Sequence, residues 1–238
     1  MKVMTYNIRH GVGCDGCLDL RRIERVIRQE QPDLVGLNEV DIHFHRRSGY
    51  RDQIKELALN LGMEGYFAPA FQRKLREPVG QYGNGMLVKH KVLEIEKIRF
   101  PGYGDEPRSL LALRLCTEGR EFMVVVTHIG LSPWIRRVQF NRLIALYHQY
   151  NGPMIVTGDW NVKPSHPRIA QLSTFLTDVQ SAGGSQEGTY PCSKPKRRID
   201  YILCSQHFQV EAAWVCKTPD CPSDHLPVVG VLQWKKKC

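Results

Sequence analysis

"PMIVTGDWNVKPSHP" (residues 153–167) opens on an apolar run and turns polar within four residues. Met154, Ile155 and Val156 read as a buried strand, and Asp159 and Asn161 then stand at its exit with Trp160 between them. A carboxylate and an amide two residues apart after a strand make a turn by default. They can also aim chemistry into a cleft, because a rigid strand holds what its end presents. Trp160 points the opposite way along the strand, toward packing behind that cleft.

The same device recurs along the chain. Apolar runs at 2–8, 34–39, 85–89, 92–99, 109–115, 121–128, 154–158, 199–204, 208–216 and 226–233 read as strands. Several are unbroken Val/Ile/Leu stretches, which suits sheets covered on both faces. Helices are expected at 19–30, capped by Asp19 and stopped by Pro32, and at 52–61, capped by Asp52 and ended by Gly62. Two more are expected at 133–149, with Ser132 at the cap and Pro133 at the first helical position, and at 166–174. Strands outnumber helices, so a plain βαβ repeat does not fit. The reading is α/β: two packed mixed β-sheets flanked by helices, in one domain over 1–238.

Composition bounds the function. The 238 residues are 42% hydrophobic and 24% charged, ordinary for a soluble globular chain. A formal charge of +9 favours an anionic partner or substrate. The start, "MKVMTYNIRHG", enters a strand at once, and no apolar run has the length of a membrane span, so a cytoplasmic protein without stable membrane insertion is expected. No protein partner is inferable. Eight cysteines suggest reduced thiols. For Cys14/Cys17 and Cys216/Cys221, a four-cysteine metal site, a redox pair and unrelated thiols all remain open. "DIHFHRR" (41–47) alternates, with His43 and His45 on one face as a loop or edge open to substrate. "KPKRR" (194–198) is either a solvated basic turn or a loop that tracks phosphates.

The polar residues at strand ends belong to one chemistry. Asn7, Glu39, Asp159, Asn161 and Asp224 are hard oxygen donors suited to Mg²⁺ or Mn²⁺. His128 and His225 suit proton transfer near neutral pH. No G-x-S-x-G elbow and no G-x-x-x-x-G-K-[ST] loop is present, which argues against a serine hydrolase of that type and against P-loop chemistry. Singly, each residue has a structural alternative: a turn for Asn7 or Asp159, an ion pair for Glu39 with Arg46 or Arg47.

In order, "MTYNIRHG", "QPDLVGLNEVD", "YGNGMLVK", "EPRSLLALRL", "VVTHIGL", "IVTGDWNVKP", "RRIDYIL" and "SDHLPVV" resemble the endonuclease/exonuclease/phosphatase superfamily, over nearly the whole chain. The resemblance implies a deoxyribonuclease-I-like four-layer sandwich and a Mg²⁺-dependent phosphoester hydrolase. It implies Glu39 as the principal metal ligand beside Asn7, with Asp224 as a further metal-site carboxylate. Asp159 and Asn161 would orient the attacking water and bind phosphate. His225, held by Asp200, would be the general base or a phosphate contact, and His128 would lie near the leaving group. Arg108 and Asn84 would line the phosphate cleft. Substrates implied are phosphodiesters such as DNA or RNA, with a phosphatase or a sphingomyelinase-like lipid-headgroup activity as alternatives. A non-catalytic binding module of the same fold is the more distant one.

Overall fold

The computed structural model describes residues 1–74, 77–102 and 104–235. Two six-stranded sheets face each other. The first joins β1 (Lys2–Asn7), β2 (Leu34–Ile42), β3 (Glu64–Arg73), β4 (Gly80–Val88), β11 (Phe208–Val215) and β12 (Val228–Trp234), in the order β11-β12-β1-β2-β4-β3. The second joins β5 (Lys91–Phe100), β6 (Arg108–Thr117), β7 (Arg120–His128), β8 (Met154–Asp159), β9 (Leu176–Asp178) and β10 (Asp200–Ser205), in the order β5-β6-β7-β8-β10-β9. Both are mixed: β1 pairs β2 and β7 pairs β8 in parallel, and the other pairings are antiparallel.

The alternation of side chains along each strand builds three cores. Val3, Leu34, Met86 and Val88 meet Leu113, Val124, Val126 and Ile155 between the sheets. The outer face of the first sheet, with Met4, Tyr6, Val35 and Leu37, is covered by α1 (Leu20–Glu30) and α2 (Gln53–Leu61) through Ile23, Ile27, Ile54 and Leu57. Val125, Met154 and Val156 on the other outer face are covered by α3 (Pro133–Tyr150) and α4 (Pro167–Leu172) through Phe140, Leu143 and Ile169. The result is the expected four-layer sandwich. A short α5 (Val179–Ala182) follows β9. Among the described residues no helix is long and apolar enough to cross a membrane.

Local chemistry explains where the reading from sequence held and where it slipped. Asp19 accepts from the Arg21 N–H and Asp52 from the Lys55 N–H, both at 3.0 Å, as caps should. Ser132 makes no side-chain cap bond, and α4 is shorter than 166–174, opening on a His166 cap. The expected 85–89 strand is the end of the longer β4. The strand β3 was not expected at all, because it is an edge strand with Pro69 at its bulge and exposed residues at both ends. Cys192 and Cys221 form a disulfide, so the expectation of reduced thiols fails there. Cys216 instead approaches Glu30, which takes it away from any four-cysteine site. A frayed "WKKKC" tail (234–238) is what the sequence suggests, but Trp234 ends β12 and packs against Phe122 and Phe208, while residues 236–238 lie outside the described part.

Gly158 is required where it stands. Its φ is +143°, and a Cβ there would lie 1.8 Å from the Thr127 carbonyl oxygen. The residue before Asp159 therefore lets β8 press against β7.

Candidate active site

Strand register alone assembles most of the site. Asp159 lies opposite His128 in the parallel β7–β8 pair and opposite Asp200 in the antiparallel β8–β10 pair. Asn7 ends β1 beside Asn38 of β2, and Glu39 follows at a bulge. Glu39 has φ +57°, a left-handed backbone that a non-glycine residue adopts only when its surroundings impose it. The bulge turns its carboxylate off the strand's alternation and into the cleft.

Asp159 is the centre. It is buried, and its Oδ2 accepts from Asn7 Nδ2 at 3.1 Å while lying 3.4 Å from His128 Nε2 and 3.6 Å from His225 Nε2. Its Oδ1 accepts from the Asn161 N–H at 2.9 Å. That is the turn suggested by "GDWN", and it leaves Oδ2 turned toward both histidines. Asn161, with φ +52°, donates its amide to the Ile129 carbonyl at 2.9 Å, which brings the side chain alongside His128. Trp160 is fully buried against Phe140 and Tyr201, as its direction implied.

His225 stands between two carboxylates: Nδ1 is 2.9 Å from Asp200 Oδ2, and Nε2 faces Asp159. Burial alone would lower its pKa, but Asp200 and then Asp159 outweigh burial and lift it to about 10. His128 is the opposite case. Burial, then Arg108, then His225 hold it well below the usual imidazole range, so it is neutral. Two N–H donors face the ring, Arg108 Nη1 at 3.4 Å from Nδ1 and Asn161 Nδ2 at 3.1 Å from Nε2. Asp159 itself is raised to about 7, mainly by burial and then by Asp200.

Glu39 accepts from Asn7 Nδ2 at 3.0 Å, and burial raises its pKa. Asp224 sits further out, half-buried, 3.8 Å from Arg9 Nε. Arg108 is buried and donates to Glu106 at 2.7 Å. Asn84 is placed differently from the other expected residues: its amide donates to the Ser109 carbonyl and its oxygen accepts from Asn38, so it braces the sheets under the cleft.

Several residues near the site were not singled out from sequence. Asn38 donates to Asn84 and to the Thr127 carbonyl, and accepts from the Asp159 N–H at 2.8 Å. A polar residue inside the buried run "LVGLNE" was the available signal. His10 lies 3.8 Å from Glu39 in a left-handed turn, with its Nδ1 buried and without a hydrogen bond. Tyr190 packs against His225 at 4.8 Å between ring centroids, from the loop that Cys192 ties to Cys221. In "KPKRR", Arg198 is buried in an ion pair with Asp178, and Arg197 lies over Tyr190. Arg198 is thus neither a solvated turn residue nor a phosphate contact.

The donor set fits a divalent cation. Glu39, Asp159, Asp200 and Asp224 crowd one cleft, and Asp200 Oδ1 is buried with no hydrogen-bond partner. Among the described residues, Asp159, Asp200 and His225 also form a group whose ligand atoms lie within 4.8 Å of one another. Within that group His225 Nδ1 is committed to Asp200 Oδ2 at 2.9 Å.

Known proteins carry the same arrangement of chain. A curated relative, Nocturnin of Drosophila melanogaster, is 27% identical over 173 residues, 63% of this chain and 25% of its own length. The chain thus matches about a quarter of that relative. The structure of an endonuclease/exonuclease/phosphatase from Beutenbergia cavernae superposes over 98% of this chain and 71% of its own, with TM-score 0.81 and 25% identity. A mannosyl-6-phosphatase from Bacteroides thetaiotaomicron covers 98% of this chain and 100% of its own, with TM-score 0.79 and 20% identity. The model of the Endonuclease/Exonuclease/phosphatase family matches residues 4–225. The chain therefore belongs to the Endonuclease/Exonuclease/phosphatase family.

Proposed function

We propose that the chain cleaves phosphodiesters, nuclease-fashion, with Asp159 activating the attacking water. One observation carries this reading: a single carboxylate faces both histidines and the Asn7 amide. Mg²⁺ or Mn²⁺ held by Glu39, with Asn7 and Asp224 nearby, would neutralise the non-bridging oxygens. Asp159 takes the water proton. His225, kept cationic between Asp200 and Asp159, contacts phosphate rather than acting as the base, which selects one of the two roles expected for it. Neutral His128 lies beside the leaving oxygen, and Arg108 adds positive charge behind it. Asn161 fixes His128 from the side.

A second reading is a phosphomonoesterase, favoured by the likeness in fold to the mannosyl-6-phosphatase. Comparing rates on bis-p-nitrophenyl phosphate and p-nitrophenyl phosphate, with Mg²⁺ and with chelator, decides between them. Chelator-sensitive turnover of the diester supports the proposal. Turnover of the monoester alone replaces it with the second reading.

A further inference from the structure

Beyond Glu39 the chain runs into a loop that carries more rings and cations than the catalytic step uses. Phe44 meets Phe71 edge-on at 5.9 Å and lies 5.8 Å from Tyr82. Arg47 sits over Phe44 at 5.4 Å and over Tyr82 at 5.3 Å, held there by two 3.0 Å hydrogen bonds to the buried Asp41. Arg73 also lies over Phe44, at 5.9 Å. Phe71 is 36% exposed and Arg73 is exposed.

This cluster adjoins the catalytic cleft. Tyr82 pairs with Asp41, two residues past Glu39, and burial and then the nearby Glu39 and Glu106 carboxylates raise its phenol pKa. Together with Arg108 and His128, Tyr82 lines one small cavity at the cleft floor. A chain of neighbouring side chains thus runs from His128 through Tyr82 and Phe44 to the exposed Phe71.

The chemistry of the path selects its ligand. Aromatic faces beside guanidinium groups attract a planar ring that carries negative charge next to it. A sugar phosphate offers no ring face of that kind, and a choline headgroup offers a cation that the arginines repel. A paired base hides its faces in the stack, whereas an unpaired one can reach the rings. We propose that Phe44, Phe71, Arg47 and Arg73 form a base-and-phosphate subsite. The substrate is then a nucleotide or single-stranded oligonucleotide whose base beside the scissile phosphate stacks on Phe71. This rests on the phosphodiesterase reading above.

The test uses Phe71→Ala and Arg73→Ala in the full chain, since neither residue touches the reacting groups. Substrates are a short oligothymidylate, an abasic oligomer of equal length, and thymidine 5′-p-nitrophenyl phosphate. In Phe71→Ala, loss of stacking should raise KM for the oligothymidylate about tenfold or more at unchanged kcat and leave the abasic oligomer unaffected, whereas Arg73→Ala should raise KM for both oligomers. A preference of the wild type for the mononucleotide ester, with the same KM effect in both variants, also supports the subsite and identifies a single nucleotide as occupant. Equal KM changes on base-bearing and abasic oligomers in Phe71→Ala, or none on either in both variants, overturn it. Chelator-sensitive turnover of bis-p-nitrophenyl phosphate alongside no turnover of any nucleotide overturns the subsite and leaves the phosphodiesterase reading standing.

Discussion

At Asp159 one side chain carries both a turn and a reaction. The turn uses Oδ1 and the chemistry uses Oδ2, so the two can be separated by an isosteric change. Asp159→Asn keeps the acceptor for the Asn161 N–H and removes the base. It should lower kcat by about 10²–10⁴-fold, the usual worth of a positioned general base. Chemical denaturation in chelator at neutral pH should show a loss of no more than about 1–3 kcal/mol, because the new amide nitrogen meets the donors that faced Oδ2 while the repulsion from Asp200 is relieved. Retained turnover, or a collapse in stability, would sink this division of labour. The expectation for Asp159 was legible from "GDWN" because strand exits aim side chains. The commitment of Asn84 to the sheets was not, since an amide's partners depend on register that no local pattern reveals.

Elements position the site through a few tight approaches. In the β7–β8 pair, Gly158→Ala must relieve both a φ of +143° and a contact with the Thr127 carbonyl. A loss of about 2–6 kcal/mol is expected from strain and overpacking together, read from urea midpoints. Wild-type stability in that variant would refute the account. The Cys192–Cys221 disulfide closes a loop with sequence separation 29. Replacing both by Ser should cost about 3–4 kcal/mol by the loop-entropy argument and loosen Tyr190 from His225. An unchanged melting temperature on reduction would contradict it. Strands with continuous β-branched runs were readable from sequence. The edge strand β3 was not, since half its residues face solvent and Pro69 breaks the ladder. Nor was the disulfide, because the pairing of eight cysteines is set by the fold and not by spacing.

Across the whole molecule, the charges of the site make stability depend on pH in two opposite ways. His10 is held near 3, by burial first and then by Arg47, Arg9 and His45. A depressed histidine contributes stability that is present above about 6.5 and lost as pH falls toward 3. His225, raised to about 10, contributes stability that is full below about 6.5 and lost as pH rises through 10. Urea midpoints across this range should therefore fall on the acid side through His10 and on the alkaline side through His225. His10→Gln should flatten the first limb only, and His225→Gln the second only; the reverse assignment would be decisive against it. Added Mg²⁺ should raise the melting temperature of the wild type and not of Glu39→Gln, because a ligand that binds only the folded chain stabilises it. An equal rise in both would move the cation elsewhere. Two packed sheets with helices outside were legible from strand count and covered faces, and the nearness of the candidate residues from their shared place at strand ends.

Asn38 bonds to both sheets and holds the Asp159 N–H in the same grip. The reacting groups are thereby divided between two slabs joined there by a few amide hydrogen bonds, from Asn38, Asn7 and Asn84. A slip of one slab over the other by an ångström would leave every strand intact and separate Glu39 from Asp159. Activity should then vanish at lower denaturant than secondary structure does, so turnover is a finer gauge of slab alignment than circular dichroism.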